Sequence, residues 1–328
     1  MLDATTGLES LQGKVIAAFA AVYLIWGSTY LAIRFAIDTI PPHLMASARF
    51  LVAGAILYAW ARLRGASRPT WSNWRAATIV GGLLLLGGNG AVVWAETRVP
   101  SGVTALLVAT VPIWMALIEG MRNGGRRPAG AVIAGLVLGL CGLALLLVPG
   151  NLAGRVDLLG AGALILGSFS WAFGSLLSRT AKLPKSGFLA AAMEMIAGGV
   201  WLLLFGLATG QAGRVTIAAL SLKSLLSLGY LILFGSLVGF TAYIWLLGAT
   251  TASRVSTYAY VNPVVAVLLG WAFAGEAMTL RTALAAAIIV IAVALIIRYG
   301  AQPARSTAPA ASVSQPSAGN VRRQAAAR

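Results

Sequence analysis

Charged side chains are what this chain has least of: Asp, Glu, Lys and Arg make up 10% of its 328 residues, against roughly 25% in a soluble domain. Eight of them are acids, and there is one histidine, His43, and one cysteine, Cys141. A lone cysteine excludes an intrachain disulfide, and inside an apolar span its default role is buried packing. Metal centres and acid–base sites need clustered His, Cys, Asp or Glu, so this scatter leaves no metal site, cofactor or catalytic group to expect. A Gly-x-x-x-x-Gly-Lys phosphate loop is missing too, which excludes direct use of ATP. No stripe of basic residues interleaved with aromatics lies outside the C-terminal tail, so nucleic acid is not a partner despite a net charge of +16.

Apolar sequence is what the chain has in excess: 59% of residues are hydrophobic and the mean hydropathy is +0.88. Runs of about 20 apolar residues, the length that crosses a ~30 Å hydrocarbon core at ~1.5 Å per residue, cover 15–34, 43–61, 76–95, 102–121, 129–148, 157–177, 187–207, 224–247, 255–274 and 282–298. They predict an all-α polytopic membrane protein with ten transmembrane helices. The expected layout is a segment 1–14, five spans in 15–148, five in 149–299, and a tail 300–328 whose composition is that of disorder. Asp3 and Glu9, with no basic cluster beside them, argue against a cleaved signal peptide. With the N-terminus inside, seventeen Lys and Arg fall on inner segments and six on outer ones, with Arg49 left within a span. The positive-inside rule therefore puts both termini in the cytoplasm, of a plasma membrane or, in a bacterium, the inner membrane.

The chain is written twice. Trp26 opens Trp-Gly-Ser-Thr-Tyr, and Trp171, 145 positions on, opens Trp-Ala-Phe-Gly-Ser. Pro112 and Pro263 interrupt apolar runs at corresponding places, and with Trp94 and Trp245 they give an offset of 151. The six extra residues fall in loop 208–223, longer than its counterpart 62–75. Five spans per half, an odd number, mean that the second half enters from the opposite face, so the halves are inverted repeats. Charge agrees: loop 35–42 has no Lys or Arg, whereas its equivalent 178–186 has Arg179, Lys182 and Lys185.

On these features residues 15–298 resemble the ten-helix EamA-type branch of the drug/metabolite transporter superfamily, which also commonly carries the Gly275-Glu276 pair found after the ninth span. The first half departs from that pattern, with Gly125 at the position matching Glu276. The resemblance implies a transporter, similar to exporters of amino acids and related metabolites, some of them aromatic.

Matched helix breaks in two halves point to a transport site near the bilayer midplane. Pro112 frees the carbonyl of Val108 and Pro263 that of Ala259, because proline has no N–H; both are expected to kink helices beside a cavity. Around them, Trp26, Tyr30, Trp171, Tyr258, Tyr260 and Asn262 are the candidate substrate-binding groups, since indoles and phenols offer apolar walls with one polar tip and a mid-membrane carboxamide must be paired. Helix packing is the alternative for the tryptophans, and capping of freed carbonyls the alternative for Asn262. Charges inside spans mark pathways. Counting residues from each face puts Arg49 in an outer vestibule and Glu194 in an inner one, too far apart for a salt bridge. Trp94, with Glu96 and Arg98 at the interface, and His43 after Pro41-Pro42 complete the gating candidates. The Gly-x-x-x-Gly pairs Gly135/Gly139 and Gly235/Gly239 are assigned to internal packing, and a monomer is expected rather than a dimer.

These features point to a secondary transporter, not an enzyme, that moves a small neutral or aromatic amino acid by alternating access, in the export direction. Its partners are that substrate and the bilayer, and Glu194 permits proton coupling. Export of other amphiphilic metabolites or drugs is the alternative within this class; a passive channel or an integral-membrane enzyme is the alternative outside it.

Overall fold

The computed structural model describes residues 2–99, 104, 107–122, 129–147, 157–274 and 280–299. Among them the chain forms helices joined by turns, with no strand. The first half supplies α1 (Leu2–Ala36), α2 (Pro42–Leu63), α3 (Trp71–Ala95), α4 (Val111–Arg122) and α5 (Gly130–Leu147). The second supplies α6 (Leu158–Ser178), α7 (Gly187–Ala208), α8 (Leu222–Ala249), α9 (Tyr258–Ala274) and α10 (Leu280–Tyr299). Six of these, α1 to α3 and α6 to α8, are long and apolar enough to cross a membrane on their own; α4, α5 and α10 contain shorter apolar stretches. The chain is a multi-pass membrane protein of two inverted five-helix repeats. α1 begins at Leu2, so the segment 1–14 is helical from there and continuous with the first span. The tail 300–328, Gly275-Glu276 and Gly125 lie outside the described residues.

Helix starts follow from local chemistry. Pro42 occupies the first position of α2, where a missing N–H costs nothing. Thr70 and Asn73 form a reciprocal capping box on α3, and Ser186 and Ser221 cap α7 and α8. Asp157 caps α6 by accepting from the Gly160 N–H at 2.8 Å, a bond that, with Arg98 beside it, holds its carboxyl below the usual carboxylate range. Large apolar side chains such as Leu24, Leu166, Leu204 and Val290 face outward, as a lipid solvent allows. Cys141 is exposed on α5 rather than buried as expected. The inward face of that helix is taken by Gly135, Gly139 and Gly142, which leaves Cys141 on the other side.

The two halves are interleaved. The most extensive contacts pair α2 with α7 and α5 with α10, the second and fifth helices of each half with their own counterparts. Glycines set the spacing: a methyl at Gly54 would lie 2.9 Å from Ile196, and one at Gly199 2.9 Å from Leu51. Both members of that pair of contacts are related by the offset of 145. α1 packs on α8 and α9 of the other half, and α6 reciprocally on α3 and α4.

α3 and α8 each contain a π-helical stretch, Gly82–Gly90 and Leu231–Phe240. The two stretches are repeat-equivalent at the offset of 151, and such i→i+5 segments are frequent at functional sites. Nothing in the sequence reading anticipated them.

Candidate functional site

Trp26 and Trp171, on α1 and α6, meet inside the bundle with ring centroids 5.7 Å apart and planes at 77°. The quadrupoles of two indoles favour this edge-to-face contact. Tyr243 and Tyr258 lie 5.1 and 5.0 Å from Trp26 and 5.5 Å from each other. Each tryptophan is seated on a glycine of the opposite half: a methyl at Gly239 would come 2.5 Å from the Trp26 Nε1, and one at Gly88 2.7 Å from the Trp171 ring. Gly88 and Gly239 are themselves 151 apart and lie in the two π stretches. The pseudo-symmetry stops at the hydrogen bonds. Trp26 Nε1 donates to the Gly235 carbonyl at 3.0 Å, whereas Trp171 Nε1 donates to the Tyr243 hydroxyl at 2.9 Å, which also bonds Ser175.

A cavity of about 80 Å³ opens beside this cluster. Trp26, Tyr30, Arg49, Trp171, Tyr258 and Asn262, all singled out from sequence, line it, and Val108 and Val111 bring the start of α4 to its wall. Lining residues come from both halves. With its amide nitrogen facing the two acceptors, Asn262 donates to the Tyr258 and Tyr23 carbonyls at 3.0 and 3.2 Å. That satisfies a carbonyl in the first turn of α9 and ties it to α1.

Arg49 is the main relocation. It does not sit in an outer vestibule but lines this cavity, 4% exposed, with its Nε donating to the Ser236 hydroxyl of α8 at 2.7 Å and its guanidinium 4.7 Å from the Phe50 ring centroid. Glu194 opens on no inner vestibule: it is fully buried in α7, accepting from the Ser178 hydroxyl at 2.9 Å, with its other oxygen unpartnered among the described residues. Glu96 is likewise not interfacial, being 1% exposed. Its backbone carbonyl takes the Arg34 guanidinium at 2.8 Å, which draws the end of α3 onto α1.

Tyr260 lies away from the cavity; its ring covers Gly139 and its hydroxyl donates to the Leu136 carbonyl at 3.2 Å, joining α9 to α5. His43 and Trp94 line a separate apolar recess, where His43 Nδ1 is 2.6 Å from Gln211. The prolines differ from each other. Pro112 is the second residue of α4, after a turn at 109–110, so it follows a break. Pro263 is inside α9, which runs through it without interruption. Among the described residues, the carbonyl at the first break that attracts side-chain donors is that of Leu107, reached by Thr110 and Ser168 hydroxyls at 2.6 and 3.2 Å, rather than that of Val108.

Sequence reasoning missed Tyr243, completely buried at the hub of the ring cluster. A phenol in the interior of an apolar span was the available signal. Gly88 was also missed, although the repeat offset pairs it with Gly239, which the sequence reading had assigned to internal packing.

The EamA-like transporter family model matches residues 13–148 and 158–298, one copy per half. The chain belongs to the EamA-like transporter family. Relatives of this EamA protein include the uncharacterized inner membrane transporter YedA of Escherichia coli (strain K12), 42% identical over 283 residues, covering 86% of this chain and 90% of YedA. A probable terminal-alkyne amino-acid exporter of Streptantibioticus cattleyicolor is 26% identical over 266 residues, covering 80% of this chain and 86% of its own. A crystal structure superposes with a TM-score of 0.71 at 21% identity, covering 88% of this chain and 99% of the other, a likeness of fold. The EamA protein is thus a membrane transporter, with the aromatic cavity at the junction of its two repeats.

Proposed function

We propose that this protein is a secondary transporter that exports a small neutral or aromatic amino acid by alternating access around the aromatic cavity. One observation carries the reading: residues of both repeats wall a single cavity, and its rings and glycines are related by the repeat itself. The amino-acid exporter among the relatives supports the substrate class. The contacts also suggest which bodies move. α1, α8 and α9 form one unit around Trp26, and α6, α3 and α4 form its counterpart around Trp171. Rocking between these mixed units opens the cavity to alternate faces. At about 80 Å³ the cavity is smaller than the ~150 Å³ in which an apolar cavity takes benzene, so loading an aromatic side chain requires the units to part. Both termini lie in the cytoplasm by the positive-inside rule, the protein acts as a monomer, and Glu194 is a buried carboxylate available to a coupling proton.

The test is counterflow of L-phenylalanine into proteoliposomes. Saturable uptake, stimulated by unlabelled substrate on the other side, is expected, with at least a tenfold loss in Trp171→Ala and Asn262→Ala. Flux that never saturates makes the protein a channel, and parental transport by both variants removes the cavity from the pathway.

A further inference from the structure

Arg49 is a buried cation without an acid. Its Nε is held by Ser236, but no carboxylate pairs with it among the described residues, and no hydrogen bond to its terminal nitrogens is found there. Keeping a guanidinium away from both water and a counter-ion is costly, yet the π stretch of α8 is shaped to receive it. A methyl at Gly235 would lie 2.8 Å from the Arg49 Nη2, so only glycine leaves the fork in place. The other π stretch brings Asn89 to the same cavity, and Asn89 Oδ1 is buried with no hydrogen-bond partner among the described residues. Among the described residues no Asp or Glu lines the cavity. One unpaired cationic fork and one unpaired neutral acceptor thus flank an aromatic box.

We infer that Arg49 binds the carboxylate of the transported molecule and Asn89 accepts a hydrogen bond from its amino group, so that the site selects molecules carrying both and rejects net cations. This rests on the transport reading above and assigns the polar end of that site. A planar guanidinium matches a carboxylate through two parallel N–H···O bonds, a geometry that lysine cannot reproduce. With no acid among the described lining residues, the ammonium is held by the Asn89 carboxamide and the faces of Trp26 and Trp171.

Three probes of nearly equal size separate the contributions: L-phenylalanine, L-phenylalaninamide, which lacks the carboxylate, and 3-phenylpropanoate, which lacks the amine. Binding is read by thermal shift of the purified protein in detergent, and transport by inhibition of L-phenylalanine counterflow. The parent protein is expected to bind L-phenylalanine at least tenfold more tightly than the amide, with 3-phenylpropanoate between them. Arg49→Gln and Arg49→Lys should each reduce that preference to less than threefold. Asn89→Ala should weaken L-phenylalanine while leaving 3-phenylpropanoate within twofold of its parental affinity. A parent that handles amide and amino acid alike overturns the assignment of Arg49 while leaving transport intact, and requires no variant to fold. An Arg49→Gln protein that keeps the parental preference overturns it as well. Loss of both probes in Asn89→Ala overturns the role of Asn89, and a parent that responds to none of the three overturns this inference together with the amino-acid reading.

Discussion

At Gly88 and Gly239 the indole rings of Trp171 and Trp26 lie closer than any side chain permits. An indole wedged among tyrosines cannot step aside without displacing the cluster, and over-packing of this kind typically costs ~1–3 kcal/mol. Gly88→Ala and Gly239→Ala should therefore each lower the midpoint of thermal unfolding in detergent by several degrees, and by similar amounts because they sit at equivalent places. Gly162→Ala, in the same class of helix but with nothing within 4 Å, should leave the midpoint unchanged or raise it, since alanine is the better helix former. Equal midpoints for all three variants would remove the close seating as a constraint. The same residues show what the sequence could disclose. The tryptophan pair was legible because two strings match at a fixed offset. The place of Arg49 was not, because depth counted along a span locates a Cα, whereas the charge sits at the end of a long side chain that reaches α8. Glu96 failed for another reason: it follows the last residue of α3, but the chain there is drawn in by Arg34 instead of emerging into water.

Among elements, the pairing of α2 with α7 is the contact most open to direct measurement. A Cβ built on Gly54 lies 3.0 Å from the Met195 Cβ, half an ångström short of the ~3.5–4.5 Å spanned by disulfides. A Gly54→Cys, Met195→Cys protein carrying Cys141→Ser should cross-link nearly completely on mild oxidation, detected by mass spectrometry of the joined peptides. Gly54→Cys with Gly206→Cys, three helical turns further along α7, should stay reduced. Failure of the first pair to cross-link would mean that the second helices of the two repeats do not face each other. Span positions and the repeat were readable because hydropathy and length dominate in lipid. The π stretches were not, since a run such as Leu83 to Leu86 is apolar on every face and its periodicity cannot distinguish i→i+4 from i→i+5 bonding. The two prolines misled for a related reason. Equivalent sequence positions do not impose equivalent backbones when Asn262 binds back into the first turn of α9, whereas the Thr110 hydroxyl before Pro112 binds the Leu107 carbonyl ahead of α4.

For the whole molecule, sequence halves and spatial units do not coincide. Each repeat directs its second and fifth helices, and a glycine seat for the other's tryptophan, towards the other repeat. A half expressed by itself would leave the α2 or α7 face and the α5 or α10 face without their partners. In lipid, helix association depends on close van der Waals fit at small residues rather than on a hydrophobic driving force, so lipid tails fill the empty glycine grooves poorly. Two chains divided between residues 148 and 158, where the two family matches also separate, should therefore behave as one obligate pair. Co-expressed, the fragment up to 148 and the fragment from 158 should co-purify through a tag on either one and elute as a single monodisperse peak. Expressed singly, each should aggregate or be degraded. A lone half that elutes as a monodisperse, helical monomer would show that intra-repeat contacts suffice to fold it, and would make the repeats themselves, rather than the mixed units around Trp26 and Trp171, the bodies that rock during transport.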